Sequence, residues 1–200
     1  MAVDVAAFSV FAVVATITPG PNNIMLASSG AAFGFRRSIP HMLGIAIGFP
    51  VMVALVALGL GPLLSTYPLI HQIMQIIGAA FLFYLSWRIF QARRAKLALN
   101  AAGAKPLSFL QAAAFQWVNP KGWQMALAAV TAYATPTLGS QIADALTLSL
   151  IFFAAAWVGV TPWVWLGMKI EAVLTTERRR AWFFGALAGS LALSVIPTFL

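Results

Sequence analysis

Six apolar blocks, each about as long as a bilayer's hydrocarbon core is thick, leave this chain few ways to fold. They cover about residues 5–30, 40–63, 68–90, 107–133, 142–168 and 182–200, and turns carrying Gly, Pro or charge separate them. A helix rises about 1.5 Å per residue, so roughly 20 apolar residues cross about 30 Å of hydrocarbon. In lipid every backbone donor and acceptor has to be met inside the protein, which leaves helices or a closed barrel. The blocks show none of the alternation of a barrel strand. With 62% hydrophobic and only 8% charged residues, the composition is also far from that of a soluble domain. The chain therefore reads as an all-α membrane protein, a single polytopic domain over residues 1–200. Asp4 stands where a cleavable signal would be basic, and the apolar run outlasts an h-region, so the first block is expected to be a retained span.

The basic residues orient these spans. Arg36 and Arg37 lie between blocks one and two. Arg88, Arg93, Arg94, Lys96 and Lys105 lie between three and four, and Lys169, Arg178, Arg179 and Arg180 between five and six. These are all but one of the 12 basic residues. The positive-inside rule puts those loops in the cytoplasm and both termini outside. Trp87, Trp165 and Trp182 then fall near cytoplasmic helix ends, where an aromatic belt sits. The net charge of +8 does not point to nucleic acid, because the charges occupy short segments between apolar blocks instead of one polar face. The absence of cysteine excludes a disulfide, a thiolate metal site and a cysteine nucleophile.

Three spans followed by three spans make the second half enter from the opposite side, the arrangement of an inverted repeat. The expected halves are about 1–95 and about 105–200. With an offset of 101 residues, Phe8 falls on Phe109, and Thr18-Pro19-Gly20-Pro21 falls on Asn119-Pro120-Lys121-Gly122. Both clusters lie near the middle of their spans. A proline inside a helix removes a donor and clashes with the preceding turn, at about 3 kcal/mol. The freed groups need neighbouring helices, water or a ligand. Transporters built from inverted repeats bind substrate between such broken helices. The candidate substrate path is therefore Thr18, Pro19, Gly20, Pro21, Asn22, Asn23, Asn119, Pro120 and Lys121, with Thr16 at the same level.

Lys121 is the basic residue missing from the loops. A charge at the centre of a span costs about 2.5–3.5 kcal/mol on insertion scales, and a lysine there cannot snorkel about 15 Å to the interface. Two roles fit: a structural clamp on the freed carbonyls of span 1 or 4, or an ammonium for an anionic substrate group such as a carboxylate. Around the clusters, Gln116 is expected to face the interior, and Trp117, Trp123 and Trp157 to pack between helices. Gly44 with Gly48, and Gly185 with Gly189, are expected to let helices approach closely. Such faces also leave a homo-oligomer open. Pro162 is expected to kink span 5, His41 and His71 to lie at opposite interfaces, and Asp144 at the outer surface.

Nothing supports catalysis, a metal or a cofactor: there are no clustered His and carboxylates, no paired carboxylates inside a span and no phosphate loop. Energy coupling would then come from an ion gradient. Three function classes stay open on the residues alone: a secondary transporter, a passive channel or facilitator, and a non-transport membrane interaction protein.

"TPGPNN" in span 1, "GFRRS" after it, "GAAFLFYLSWRIF" in span 3 and "NPKGW" in span 4 together resemble the LysE/RhtB family of amino-acid exporters. The likeness covers essentially the whole chain, and the first span is similar to the cysteine and O-acetylserine exporters of that family. Span 3 departs from it at Ser86, where the family commonly has glycine. The resemblance implies a multi-pass protein of the bacterial inner membrane that exports amino acids or close derivatives, driven by the proton motive force. It also implies that Pro19, Gly20, Pro21, Asn22, Asn119, Pro120 and Lys121 are motif residues. The lack of a buried carboxylate argues against a dibasic substrate.

Overall fold

The computed structural model describes residues 3–61, 66–92, 105–134 and 140–196, all of whose regular elements are helices. Arg93, Arg94 and Lys96 of the third loop lie outside the described residues, as does the side chain of His71. Helix α1, Val5–Ile17, starts where Asp4 accepts a hydrogen bond from the Ala7 amide at 3.0 Å. Helix α2 runs from Pro21 to Leu55 and continues as a π-helical stretch, Val56–Leu60. Helix α3 is Pro68–Ala92. Helix α4, Phe109–Phe115, opens on a capping box between Ser108 and Gln111. A 3-10 turn, Gln116–Val118, separates it from α5, Pro120–Tyr133. Helix α6 is Gln141–Val173, and α7, Glu177–Leu193, is capped by Thr176.

Among the described residues, three stretches are long and apolar enough to cross a membrane: Pro21–Leu60, Gln72–Gln91 and Gln141–Ile170. The first is bent. Gly34 takes φ 75 and ψ 177, backbone that a side chain would strain, so α2 is two helical arms meeting where the sequence places the first turn. The expected breaks are also present, with α1 ending at Ile17 and α2 restarting at Pro21, and with Asn119 extended before Pro120.

Helix α6 lies along α2 and α1, α2 packs on α4, and α3 on α7. Glycines mark the closest approaches. A Cβ at Gly30 would strike the Val164 carbonyl, one at Gly167 the Ala27 carbonyl, and those at Gly44 and Gly48 would meet Phe109 and Ala113. Gly185 and Gly189, expected to do the same, face no described atom within 4 Å. Ser86 donates to the Ala188 carbonyl at 2.7 Å, tying α3 to α7. Phe152 of α6 meets Phe8 of α1 and Phe49 of α2 edge-on, with centroids 5.1 and 4.9 Å away, at the centre of one core cluster.

The outer surface carries large apolar side chains. Leu69, Leu110 and Leu150 are 67%, 74% and 65% exposed. In water such area would forgo about 25 cal/mol per Å², whereas hydrocarbon solvates it. Trp87, Trp165 and Trp182 are exposed among them.

Two expectations about single residues are corrected. His41 is fully buried, because the bend at Gly34 folds the arms of α2 so that Ser29 of one reaches Nδ1 of His41 on the other at 3.0 Å. Asp144 is buried in the first turn of α6, where unpaired helix amides favour a carboxylate. Helix α6 runs on through Pro162.

Candidate functional site between two broken helices

A helix that stops inside a bilayer strands its last carbonyls, and at the end of α1 each of them has a donor. Val14 O accepts from the Thr18 amide, and Ala15 O from the Thr18 hydroxyl at 2.9 Å. Thr16 O and Thr18 O both accept from Asn23 Nδ2, at 2.9 and 2.8 Å. Ile17 O accepts from the indole N–H of Trp163 at 3.0 Å, and the Thr16 hydroxyl donates to Ala155 O at 3.1 Å, so α6 braces the break. Lys121 completes the set. Its Nζ donates to Thr18 O at 2.7 Å, to Thr18 Oγ1 at 2.8 Å and to Pro19 O at 3.3 Å.

The helix starts behave differently. Asp4, Ser108 and Thr176 cap theirs, but Gly20 has no side chain to cap α2, and Asn119 makes no capping bond to α5. Both starts carry Pro at the first helical position, which has no N–H of its own, and the amides that follow have no partner within the helix. Two uncapped positive helix ends therefore flank one space.

That space is a pocket of about 430 Å³ free of protein atoms, its opening to the outside included. Gly20, Pro21, Asn22, Asn23, Asn119 and Lys121 line it, joined by Thr16, Phe49, Met125 and Val160. No acidic side chain among the described residues does. Asn22 and Gln116 form a reciprocal amide pair, at 2.9 and 3.1 Å, that links the two breaks. Asn119 is 2% exposed, and its Oδ1 has no hydrogen-bond partner, the one buried side-chain atom in that state among the described residues of the pocket wall. Gly20 gives room to Lys121: a Cβ there would stand 2.5 Å from Lys121 Cδ and 3.1 Å from Nζ.

Most of the residues expected from the sequence thus converge. Thr18 and Pro19 act through their oxygens on Lys121, and Pro120 starts α5 without lining the pocket. Trp117 and Trp123 pack against each other behind it, with Trp123 Nε1 on the Trp117 carbonyl at 2.8 Å. Sequence reasoning missed Phe49, Met125, Val160 and Trp163. They are ordinary apolar residues in their own helices, and only packing brings them here.

Residues 13–196 match the family described as LysE type translocator. The chain belongs to that family. As a LysE type translocator it is a multi-pass membrane transporter and not an enzyme. It is 25% identical to a cysteine/O-acetylserine efflux protein of Klebsiella pneumoniae over 96% of each chain. A protein of the same description from Salmonella choleraesuis is 32% identical over 65% of each chain. One from Escherichia coli K12 is 35% identical over 64% of this chain and 63% of that one. No solved structure matches the LysE type translocator chain.

Proposed function

We propose that the protein is a secondary exporter that carries zwitterionic amino acids or close derivatives outward across the bacterial inner membrane, energised by the proton motive force. In this reading six spans form two inverted repeats, about 1–95 and about 105–200, with both termini outside and the pocket near the midplane. The observation that carries it is the pair of uncapped helix starts, α2 and α5, facing one pocket beside Lys121. Paired positive helix ends suit a carboxylate. The unpartnered Oδ1 of Asn119 suits a hydrogen-bond donor on the cargo. The lack of an acidic side chain in the pocket wall disfavours a dibasic cargo, and relatives named for cysteine and O-acetylserine efflux support a small zwitterion. Alternating access then rocks the halves about the pocket.

Cells overproducing the protein should resist toxic amino acids or analogues and accumulate the cargo outside. In proteoliposomes labelled O-acetylserine should show counterflow, which separates a carrier from a passive pore. Lys121→Ala should abolish export in correctly inserted protein; export at the wild-type rate would remove Lys121 from the site.

A further inference from the structure

The ammonium of Lys121, a side chain of α5, sits in a setting built by the other break. Its three acceptors, Thr18 O, Thr18 Oγ1 and Pro19 O, lie within 2.7 to 3.3 Å. The Thr18 hydroxyl directs its only hydrogen to Ala15 O at 2.9 Å, so toward Lys121 it can act only as an acceptor. Three acceptors therefore face the three N–H bonds of one ammonium, at the negative end of the α1 dipole. None of the three is a carboxylate. Neutral dipoles hold the charge, and a second primary ammonium could satisfy them equally well.

The lysine reaches this cage by crossing the backbone of Gly20, where even a methyl group would collide with Cδ at 2.5 Å. The same side chain lines the pocket, so leaving the cage moves Nζ into the space where a cargo would sit. An empty carbonyl cage inside a membrane is costly, and Lys121 keeps it filled.

We propose that these oxygens form a binding site for the primary ammonium of the cargo, which Lys121 occupies in the cargo-free protein and yields when cargo binds. This rests on the export reading above and adds the exchange to it. A displaced Lys121 is free to pair with the cargo carboxylate, a charge-assisted bond, and its return helps expel the cargo. Quaternary or N-acylated amines lack the three donors, leave the cage unmet and are refused.

The chain contains no cysteine, so Lys121→Cys carries a unique thiol. Aminoethylation with bromoethylamine restores an ammonium at lysine-like length, and iodoacetamide adds a neutral group. With each form in proteoliposomes, ethylammonium binding is read from tryptophan fluorescence, and O-acetylserine counterflow is measured in parallel. Ethylammonium should bind unmodified Lys121→Cys about tenfold more tightly than wild type, because affinity is reduced by the fraction of sites already filled. Aminoethylation should return the wild-type value, the neutral adduct should not, and tetramethylammonium should not bind any form. Gly20→Ala, which pushes on Lys121 with the lysine still present, should shift ethylammonium affinity in the same direction. It decides the matter alone if aminoethylation fails to restore wild-type behaviour.

Equal or weaker ethylammonium binding by unmodified Lys121→Cys and by Gly20→Ala overturns the exchange, as does sodium ion competing as well as ethylammonium. If ethylammonium behaves as expected while no amino acid shows counterflow, the cage stands and the export reading fails. Counterflow of O-acetylserine without the ethylammonium effect gives the reverse.

Discussion

Thr18-Pro19-Gly20-Pro21 and Asn119-Pro120-Lys121-Gly122 both restart a helix on a proline without a side-chain cap, yet the two breaks are finished differently. The first presents oxygens. Its carbonyls from Val14 to Pro19 are all met, by Thr18, Asn23, Trp163 and Lys121. The second presents a cation and keeps the Oδ1 of Asn119 unpartnered. At the offset of 101 residues Gly20 corresponds to Lys121 in the sequence, and the two meet beside the pocket. In the proposed inverted repeat these would be equivalent positions of the two halves, and where such positions meet only one can carry a long side chain. The asymmetry lets one break hold the charge that the other supplies.

The sharpest way to break this comparison is to make the positions alike. Gly20→Lys puts a second ammonium and a second stem where one already fills the space. Cellular efflux should fall on the order of a hundredfold, given a cost of about 2.5–3.5 kcal/mol for each unmet charge at that depth. Adding Lys121→Gly, which transposes the pair, should recover at least part of the loss; a double variant worse than the single one would deny the equivalence.

Next, the two asparagines should part company. Asn23→Ala strands the Thr16 and Thr18 carbonyls, so thermal unfolding in detergent should report a loss of about 1–3 kcal/mol. Asn119→Ala removes an oxygen that bonds nothing and should leave the melting temperature nearly unchanged while lowering export. Equal stability losses would contradict the distinction between a satisfied break and an open one.

A smaller effect is expected where the breaks are linked. Asn22→Ala and Gln116→Ala should each cost about 1 kcal/mol, and the double variant should cost less than their sum, because each single change leaves the other amide buried and unpaired. Smallest of all, Thr18→Val removes one of three acceptors from Lys121 and one donor from Ala15, for about 0.5 kcal/mol, the low end for a hydrogen bond, and Thr18→Ser should restore it.

Much of the fold was legible because the bilayer imposes it. Proline and glycine inside the apolar blocks marked both breaks, and Gly34 lies in the turn that the block boundaries placed there. The candidate site was legible for the same reason, since polar residues are costly inside a span and stand out. Single-residue environments were not. His41 and Asp144 sit near block ends and read as interfacial, yet both are buried. A bend and a helix start decided that, and neither is visible from position along a span. The Gly185 and Gly189 pair has the same spacing as Gly44 and Gly48, but among the described residues only the latter faces another backbone.

The sequence by itself determined that the chain is helical, membrane-embedded and broken in two matching places, because backbone polarity in lipid permits little else and apolar length is countable. Only the tertiary structure decided who satisfies whom. A clamp on the freed carbonyls of span 1 or 4 was one role open to Lys121 in the sequence, but nothing there showed that it would lie across Gly20 on the oxygens of Thr18 and Pro19. That pairing joins residues about a hundred positions apart, and it exists only because helix packing brings the negative end of one broken helix against the start of another.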